Sequence, residues 1–150
     1  MVCCLKEVAP RDMPAVFAMM QDQQFPHVPD SYEEAVDALS EAELWGVYQE
    51  NDLQAVILFG DMTATSAFVD VVCRKEAQGK WATPRVMRQL YDYAFRSCQL
   101  DFLWCQPHNT VALTAALKAG FVLANSGETP PVLILTRQRL QQRFKKYLEN

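Results

Sequence analysis

Three β-rich runs follow one another in the middle of the chain and lead into a long helical pattern. The stretch "LWGVYQENDLQAVILFGDMT" predicts two strands joined by a hairpin turn at Glu50-Asn51-Asp52, and "SAFVDVVC" predicts a third strand. From Pro84 the apolar period becomes helical. The residues of this predicted apolar face are Met87, Leu90, Tyr91, Ala94, Phe95 and Cys98.

The segments before this block predict one strand and two helices. The strand lies near Val2–Val8, and Asp12 is the expected cap of a helix over Met13–Gln23, with Pro14 close to its start. The second helix lies in "DSYEEAVDALSEAE", where Asp30 or Ser31 is the expected cap and acidic residues fill the first turn.

The segments after this block continue the alternation of strands and helices. "DFLWCQ" predicts a strand, residues 109–119 a helix, and "FVLAN" and "PVLILT" two strands. A basic amphipathic helix is expected over Arg137–Tyr147. The predicted order is β-α-α-β-β-β-α-β-α-β-β-α, which indicates an α/β fold with a central mixed sheet flanked by helices.

Bulk composition indicates a single globular domain over residues 1–150. The chain has 150 residues, of which 50% are hydrophobic and 21% are charged, enough to bury a core and too apolar for a disordered chain. No apolar run approaches the roughly 20 residues that span a bilayer, and the N-terminus lacks the pattern of a signal peptide. Five scattered cysteines suit a reducing compartment, so we expect a cytoplasmic protein without a membrane partner.

Charge is distributed unevenly along the chain. Residues 1–60 hold eleven acidic and two basic side chains, a balance of −9, whereas residues 61–150 hold seven acidic and twelve basic ones, a balance of +5. This asymmetry arises either from solvated helix faces or from a second half that handles an anion and a first half that faces a cation. An acidic chain without a concentrated basic surface is a poor partner for nucleic acid.

The polar segment "RKEAQGK" joins the third strand of the block to the long helix. A loop that leads into a helix N-terminus presents unpaired N–H groups and the positive end of the helix dipole, which suits a pyrophosphate. Gly79 allows close approach of the backbone at one point. Thr83-Pro84 predicts a helix cap followed by proline at the first helical position, and the Thr83 hydroxyl either caps the helix or contacts phosphate.

The stretch "HNTVALTAALKAGF" has an Asn at the start of an alanine-rich helix and a Gly-Phe pair at its end. Asn109 is a good helix cap wherever a helix begins, and Gly120 is a common C-terminal stop. The position of the stretch, one strand and one helix after a candidate phosphate loop, distinguishes it from an ordinary helix.

In element order the whole chain resembles the GCN5-related N-acetyltransferase (GNAT) superfamily. "VDVVCRKEAQGKWATPRVMRQL" is similar to the acyl-CoA motif of that family, and "HNTVALTAALKAGF" is similar to its Asn-led helix with Gly-Phe closure. The Trp-Ala-Thr stretch resembles a branch common among bacteriophage-encoded members. The resemblance implies a GNAT-like single domain that binds acetyl-CoA as acyl donor and an amine as acceptor, and a homodimer is a further expectation.

The match to the phosphate-loop pattern of the family, Gln/Arg-x-x-Gly-x-Gly/Ala, is incomplete. Gln78 fits the first position, but Trp81 stands where Gly is usual and Thr83 where Gly or Ala is usual. Four residues before Gly120, where a tyrosine is common in the family, the chain has Ala116. The resemblance implies the following acetyl-CoA contacts: Val72, Cys73, Arg74, Gln78, Gly79, Lys80, Trp81, Ala82, Thr83 and Asn109.

Amine acetylation needs a neutral amine, a donor for the oxyanion and well-positioned reactants. Asp70, in the apolar run "FVDVV", is a candidate base if it is buried; alternatively it faces solvent or bonds across the sheet. His108, whose imidazole side chain can act as a base, is a second candidate, although a His before a helix cap is commonly a surface residue. Cys105 is expected to be a core thiol, and adjacent Cys3 and Cys4 point to opposite strand faces, so no metal site is expected.

Two functions from different classes follow. The first is an acyl-CoA-dependent N-acetyltransferase acting on a cationic amine, favoured by Asn109 and by Gly120-Phe121. The second is a catalytically inactive GNAT-fold binding or assembly protein of phage origin, favoured by Ala116 and Trp81. In the tail helix, Leu140, Phe144, Tyr147 and Leu148 either seal the core or dock a partner.

Overall fold

The predicted order of strands and helices is confirmed by a computed structural model, which describes residues 2–23, 28–124 and 127–143. The strands are β1 (Cys4–Glu7), β2 (Glu43–Gln49), β3 (Asp52–Gly60), β4 (Ser66–Cys73), β5 (Phe102–Cys105), β6 (Val122–Leu123) and β7 (Leu133–Thr136). The helices are α1 (Met13–Asp22), α2 (Tyr32–Leu39), α3 (Pro84–Asp92), α4 (Thr110–Lys118) and α5 (Arg137–Arg143).

The strands form one mixed sheet with the order β1-β2-β3-β4-β5-β7-β6. Strand β4 pairs with β5 in parallel, whereas β1 with β2, β2 with β3, β5 with β7 and β6 with β7 are antiparallel. The chain divides into two compact units, a first of residues 1–60 and 71–89 and a second of residues 61–70 and 90–150. The fold class expected from the sequence is confirmed, while the single domain over 1–150 stays a prediction.

The first unit is built on the β1-β2-β3 meander, whose hairpin turn lies where the sequence predicts it. Gln49 pairs with Asp52, and Glu50 adopts the left-handed conformation with φ of 58°. One apolar cluster joins α1 to the meander and to the end of β4. Its buried members are Val16, Met19, Met20, Tyr48, Leu53, Val56 and Val72.

Asp12 does not cap α1, contrary to the prediction from the sequence. A 3-10 turn over Pro10–Asp12 precedes the helix, so Asp12 already has helical backbone angles and its side chain makes no cap hydrogen bond. Its carboxylate accepts a hydrogen bond of 2.7 Å from the Tyr48 hydroxyl, which in turn accepts one of 3.1 Å from the Ala9 N–H. Asp12 therefore fixes a buried tyrosine, and burial raises the pKa of the Tyr48 hydroxyl.

Helix α2 is capped as expected at one of the two candidate residues. The Ser31 hydroxyl accepts a hydrogen bond of 3.2 Å from the Glu34 N–H, so Ser31 rather than Asp30 is the cap. Glu33 and Glu34 lie in the first turn, where their negative charges interact favourably with the positive end of the helix dipole.

The second unit is held together at its strand ends by two arginines of α5. Arg137 donates two hydrogen bonds to the Leu100 carbonyl, at 3.1 Å from Nε and 2.7 Å from Nη2. Arg139 donates one of 2.6 Å from Nε to the Gly120 carbonyl. Leu140, which the sequence placed in a core-sealing face, is fully buried. The rest of that predicted face, Phe144, Tyr147 and Leu148, lies outside the described residues.

The helix that begins at Pro84 buries the predicted face with two differences. Leu90, Tyr91, Ala94 and Phe95 are buried, whereas Met87 and Cys98 are half-buried. The α-helix ends at Asp92 and continues as a π-helical turn over Tyr93–Ser97, in which Cys98 donates to the Tyr93 carbonyl. A π-helical turn has more residues per turn than an α-helix, so it rotates the apolar face of the helix. The spacing of apolar residues in the sequence does not reveal this change.

Gly46 provides the first test of this packing. A Cβ at Gly46 would lie 2.5 Å from Tyr48 Cε2 and 2.9 Å from Leu53 Cδ1. Because Asp12 fixes Tyr48, its ring has little freedom to move. We expect Gly46→Ala to lower the free energy of unfolding by about 1–3 kcal/mol, the usual range for overpacking, measured by urea denaturation.

A double-mutant cycle with Leu53→Ala separates the clash from a general effect of alanine in a strand. If the added methyl group meets Leu53, the double variant loses less stability than the sum of the two single variants. Equal stability of Gly46→Ala and the parent would contradict the close packing, since alanine is otherwise the better strand residue.

Candidate functional site

The segment between β4 and α3, residues 74–83, curls on itself and lies in the first unit. A 3-10 turn over Lys75–Ala77 opens it, and Ala77 is fully buried. The Ala77 carbonyl accepts hydrogen bonds from the N–H groups of Lys80 (2.9 Å) and Trp81 (3.2 Å). Ala77 is therefore the anchor of the loop, and the exposed residues after it are Gln78, Gly79, Lys80 and Ala82.

After the opening turn, the N–H groups of Gly79 and Ala82 have no backbone acceptor among the described residues, as is also the case for those of Lys75 and Glu76 within the turn. The N–H groups of Gln78 and Thr83 donate to carbonyls within the loop. Gly79 has a φ of +74°, and a Cβ placed there would meet no atom within 4 Å. The loop thus exposes backbone donors in open space, although fewer than an uncurled loop would offer.

Thr83 caps helix α3. Its hydroxyl accepts a hydrogen bond of 3.3 Å from the Val86 N–H, and its carbonyl accepts one of 2.9 Å from the Met87 N–H. Of the two roles considered for the hydroxyl, the structure shows the cap, and contact with phosphate stays a prediction. Trp81 is half-buried, so its side chain partly lines the loop.

Basic side chains surround the loop. Arg74, Lys75 and Lys80 are all exposed, as is Arg85 in the first turn of α3. Glu76 is the acidic residue within the loop. Exposed cations beside open N–H groups and a helix N-terminus form a surface that attracts anions.

Gln23, at the end of α1, binds the end of β4. Its Nε2 donates to the Cys73 carbonyl at 2.6 Å, and its Oε1 accepts from the Cys73 N–H at 3.3 Å. Its Nε2 also lies 3.7 Å from Cys73 Sγ. Sequence reasoning missed Gln23, and a separation of 50 residues offers no local signal for the contact.

In the second unit, Asp70 and Cys105 lie near each other. Burial, as the larger cause, and the charge of the Asp70 carboxylate, as the smaller one, together raise the pKa of the Cys105 thiol to about 12. Asp70 itself is half-buried on β4. Cys105 is half-buried and so lies at the edge of the core rather than fully inside it as expected, and its thiol is protonated at neutral pH.

His108 and Asn109 lie between β5 and α4, and both are exposed. The Asn109 Oδ1 accepts a hydrogen bond of 2.7 Å from the Ala112 N–H, so Asn109 caps α4. The Asn109 side-chain amide retains its N–H donors for a ligand. The roles predicted for these residues, a base for His108 and an acetyl-CoA contact for Asn109, stay predictions.

The position that carries a tyrosine in many GNAT sequences offers no hydroxyl. Ala116 is half-buried in α4, and its carbonyl accepts from the Phe121 N–H at 3.1 Å. The nearby Tyr91 is buried, and its hydroxyl donates to the Ala119 carbonyl at 3.1 Å. Tyr91 therefore serves to hold the end of α4 and is not a substitute acid at the surface.

The candidate residues thus fall into two groups. The first unit holds the contiguous set, which comprises Val72, Cys73, Arg74, Gln78, Gly79, Lys80, Trp81, Ala82 and Thr83. The second unit holds Asp70, His108 and Asn109. A separate cavity of about 410 Å³ in the first unit is lined by Val2, Cys3, Cys4, Tyr48, Gln49, Glu50 and Arg85, none of which the sequence singled out as site residues.

Some features are absent from the described residues. In residues 2–23, 28–124 and 127–143, no cluster of three or more His, Cys, Asp or Glu side chains has the geometry to hold a metal ion. Within the same ranges, no helix has both the length and the apolar character to cross a bilayer. All five cysteines are free thiols.

Comparisons with known proteins place the fold. No family model matches the chain, and no curated protein matches it. Among solved structures, a mutant of spermidine N-acetyltransferase SpeG from Vibrio cholerae superimposes with a TM-score of 0.75 at 14% identity, over 98% of this chain and 96% of that one. N-acetyltransferase PseH from Campylobacter jejuni, in complex with acetyl coenzyme A, gives 0.66 at 17% identity, over 91% and 99%.

A third structure, AAC(6')-Ib in complex with paromomycin and acetyl-CoA, gives a TM-score of 0.72 at 13% identity, over 95% of this chain and 98% of that one. The chain has the GNAT fold. At these identities the likeness establishes the fold alone, and it extends over nearly the full length of each chain compared.

Within the GNAT fold the observed elements agree with the two motifs on which the resemblance was based. The first motif comprises β4, the curled loop and α3, and the second comprises α4 with its Asn109 cap and the Gly120-Phe121 closure. The departure at Ala116 remains in the structure, as does the non-glycine residue Trp81 in the loop.

Thiol chemistry tests the environment of Cys105. A pKa of about 12 instead of 9 lowers the thiolate fraction at pH 8 by about 1000-fold, so we expect iodoacetamide to label Cys105 far more slowly in the native protein than in urea. Mass spectrometry of labelled peptides measures the rate, and the half-buried Cys98 of the same unit is the internal comparison. Labelling of native Cys105 at the denatured rate would contradict the raised pKa of this thiol.

Proposed function

We propose that this protein is an N-acetyltransferase that moves the acetyl group of acetyl-CoA to an amine. The observation that carries the proposal is the GNAT fold over nearly the whole chain, shared with N-acetyltransferases such as PseH, whose structure contains acetyl coenzyme A. Fold alone does not fix function, so the site must supply an anion surface for the donor and a means of accepting a proton.

The loop of residues 74–83 fits the pyrophosphate of acetyl-CoA. The unpaired N–H groups of Gly79 and Ala82 and the N-terminus of α3 provide hydrogen bonds and a positive dipole end. The side chains of Arg74, Lys75 and Lys80 add charge without blocking the backbone, because they are exposed. Gln78 and Trp81 flank these donors, and Val72 and Cys73 form the strand end that precedes them.

The acetyl transfer requires one bond to form and one to break. The amine nitrogen attacks the thioester carbonyl carbon, a C–N bond forms, and the C–S bond breaks with its electron pair on the departing thiolate. The proton lost by the amine passes to a base, for which we propose Asp70 or His108. Ala116 supplies no proton, so the thiolate leaves unaided or is protonated by water.

The acidic character of α1 and α2 favours a cationic acceptor. Of the eight carboxylates on and around these helices, Asp12 is bound to Tyr48, while the other seven are exposed. These seven are Asp22, Asp30, Glu33, Glu34, Asp37, Glu41 and Glu43. By their names, SpeG acts on spermidine, and the AAC(6')-Ib structure contains paromomycin, so amine acceptors occur among the structural neighbours.

Some expectations from the sequence accompany this proposal and stay predictions. They are a cytoplasmic location, similarity to phage-encoded members, and a homodimer. One structure of SpeG is dodecameric, so self-association occurs in a structural neighbour.

An inactive GNAT-fold binding or assembly protein is the second candidate. Ala116, which cannot donate a proton, and the loop hydrogen bonds that occupy the Lys80 and Trp81 N–H groups favour it. The two candidates differ in turnover and not in fold, so acetylation assays decide between them.

Acetyl-CoA and CoA are expected to bind and stabilise the protein. At 100-fold above its dissociation constant, a ligand adds about 2.7 kcal/mol to the free energy of unfolding, which thermal melts with millimolar CoA detect.

The variant Lys75→Ala/Lys80→Ala should bind CoA more weakly and with a flatter salt dependence, because these exposed charges act through screened attraction.

Lys118→Ala is the matched control, since Lys118 is an exposed lysine at the end of α4 and outside the loop. Equal CoA affinity of the loop variant and the parent at low salt would place the donor elsewhere. If the addition of CoA produces no shift in melting temperature and no calorimetric heat, the enzyme proposal is refuted.

Cationic amines are expected to be better acceptors than anionic ones. A panel containing a polyamine, an aminoglycoside, a lysine-rich peptide and an acidic amino acid is assayed by free-thiol release at low and high salt. The double variant Glu33→Gln/Glu34→Gln removes two negative charges, so it should react more slowly than the parent with cationic acceptors. Added salt should reduce the difference in rate between variant and parent, because the electrostatic attraction acts mainly on association and is screened by salt.

A faster reaction with the anionic acceptor than with every cationic one would show that the charge asymmetry does not select the acceptor. CoA binding without acetylation of any amine would establish the inactive binding protein instead.

A further inference from the structure

The end of β4 has a backbone edge that another strand does not cover in the described pairings. Strand β4 pairs with β5 over Ser66–Phe68, and its last residues lie beyond that pairing. At the far end, the Arg74 N–H donates to the Gln54 carbonyl of β3 at 2.9 Å. Because successive residues of a strand direct their N–H and C=O groups to opposite sides, those of Cys73 point away from β3.

The Gln23 carboxamide pairs with both polar groups of Cys73. It donates to the carbonyl at 2.6 Å and accepts from the N–H at 3.3 Å, which is the pair of hydrogen bonds that a neighbouring peptide group would make. A side chain from another element, 50 residues away in sequence, thus takes the place of a strand at this edge.

Such a contact is well suited to reversible exchange. A backbone edge binds any extended amide through main-chain hydrogen bonds, as in the addition of a peptide strand to a sheet. Holding Gln23 in place costs the rotamer freedom of a long side chain, whereas a ligand already held elsewhere on the protein has lost part of its freedom before it reaches this edge.

We propose that Gln23 is a displaceable placeholder at the edge of β4, and that a secondary amide of the acyl donor's pantetheine arm replaces it on Cys73. The inference rests on the proposed function, because it assigns the displacing amide to CoA. Donor binding then releases the end of α1 from β4. The apparent dissociation constant of CoA exceeds the intrinsic one by the inverse of the fraction of molecules in which Gln23 has left.

The test compares CoA affinity by calorimetry in the parent, in Gln23→Met and in Gln21→Met. Methionine is unbranched and similar in size but cannot donate a hydrogen bond to the Cys73 carbonyl, so removal of the competitor should tighten CoA binding by at least about threefold. Gln21 lies on the same helix and is exposed, so Gln21→Met should bind like the parent. Gln23→Asn, one methylene shorter, should tighten binding as Gln23→Met does and serves if the methionine variant does not fold.

A second readout follows the side chain directly in the parent. With ¹⁵N in the glutamine side chains, the signal pair that disappears in Gln23→Met belongs to Gln23. On addition of CoA this pair should move towards the position and solvent-exchange rate of the exposed Gln21 amide.

Each outcome either supports or overturns the proposed role of Gln23. Tighter binding of the Gln23 variants with a shift of the Gln23 signals supports the placeholder. Equal or weaker CoA binding by these variants, or unmoved Gln23 signals in the CoA-bound parent, overturns the placeholder and leaves the proposed function intact. Failure of the parent and of every variant to bind CoA refutes the proposed function, and the placeholder with it.

Discussion

Backbone hydrogen bonding at the end of β4 is the constraint on which the candidate donor site depends. A strand that leaves a sheet exposes N–H and C=O groups that must find other partners when they are shielded from water. Here Gln54 of β3 accepts from Arg74, and Gln23 takes both groups of Cys73. The next residues satisfy one another around Ala77, and the Thr83 hydroxyl caps α3. The N–H groups of Gly79 and Ala82 are among those that these hydrogen bonds leave open.

Local signals in the sequence predicted the fold well because each element carries its own pattern. Strand β4 has the predicted bounds, Ser31 caps α2, and Asn109 caps α4. Prediction failed where a partner distant in sequence redirected a side chain. Asp12 has the chemistry of a cap, but the Tyr48 hydroxyl, 36 residues away, binds its carboxylate. Gln23 carries no pattern at all, since its contact with Cys73 exists only after the chain has folded.

The same distinction applies to charge. The positive balance of residues 61–150 was open to two interpretations, and the structure assigns part of it to the fold. Arg137 and Arg139 donate to the carbonyls of Leu100 and Gly120, at the ends of structural elements, so they serve to satisfy backbone acceptors. The exposed cations of the loop, Arg74, Lys75 and Lys80, have no such structural use among the hydrogen bonds described. A count of charges in the sequence could not distinguish structural from exposed cations, because the distinction depends on which atoms each side chain contacts in the fold.

The absence of a hydroxyl at Ala116 matters less to the proposed acetyl transfer than the charge state of the acceptor. The pKa of a thiol, near 8.5, is only about 1.5 units above pH 7, so departure as a thiolate is readily possible. The pKa of an alkylamine, near 10.4, is about 3.4 units above pH 7, so removal of its proton costs about 4.6 kcal/mol at that pH. The acidic surface of α1 and α2 attracts a cationic amine but also stabilises its charged form. Attraction and reactivity therefore oppose each other at that surface. A base close to the reacting nitrogen is consequently the more demanding requirement of the proposed reaction, and the residues proposed for it are Asp70 and His108 rather than a hydroxyl in place of Ala116.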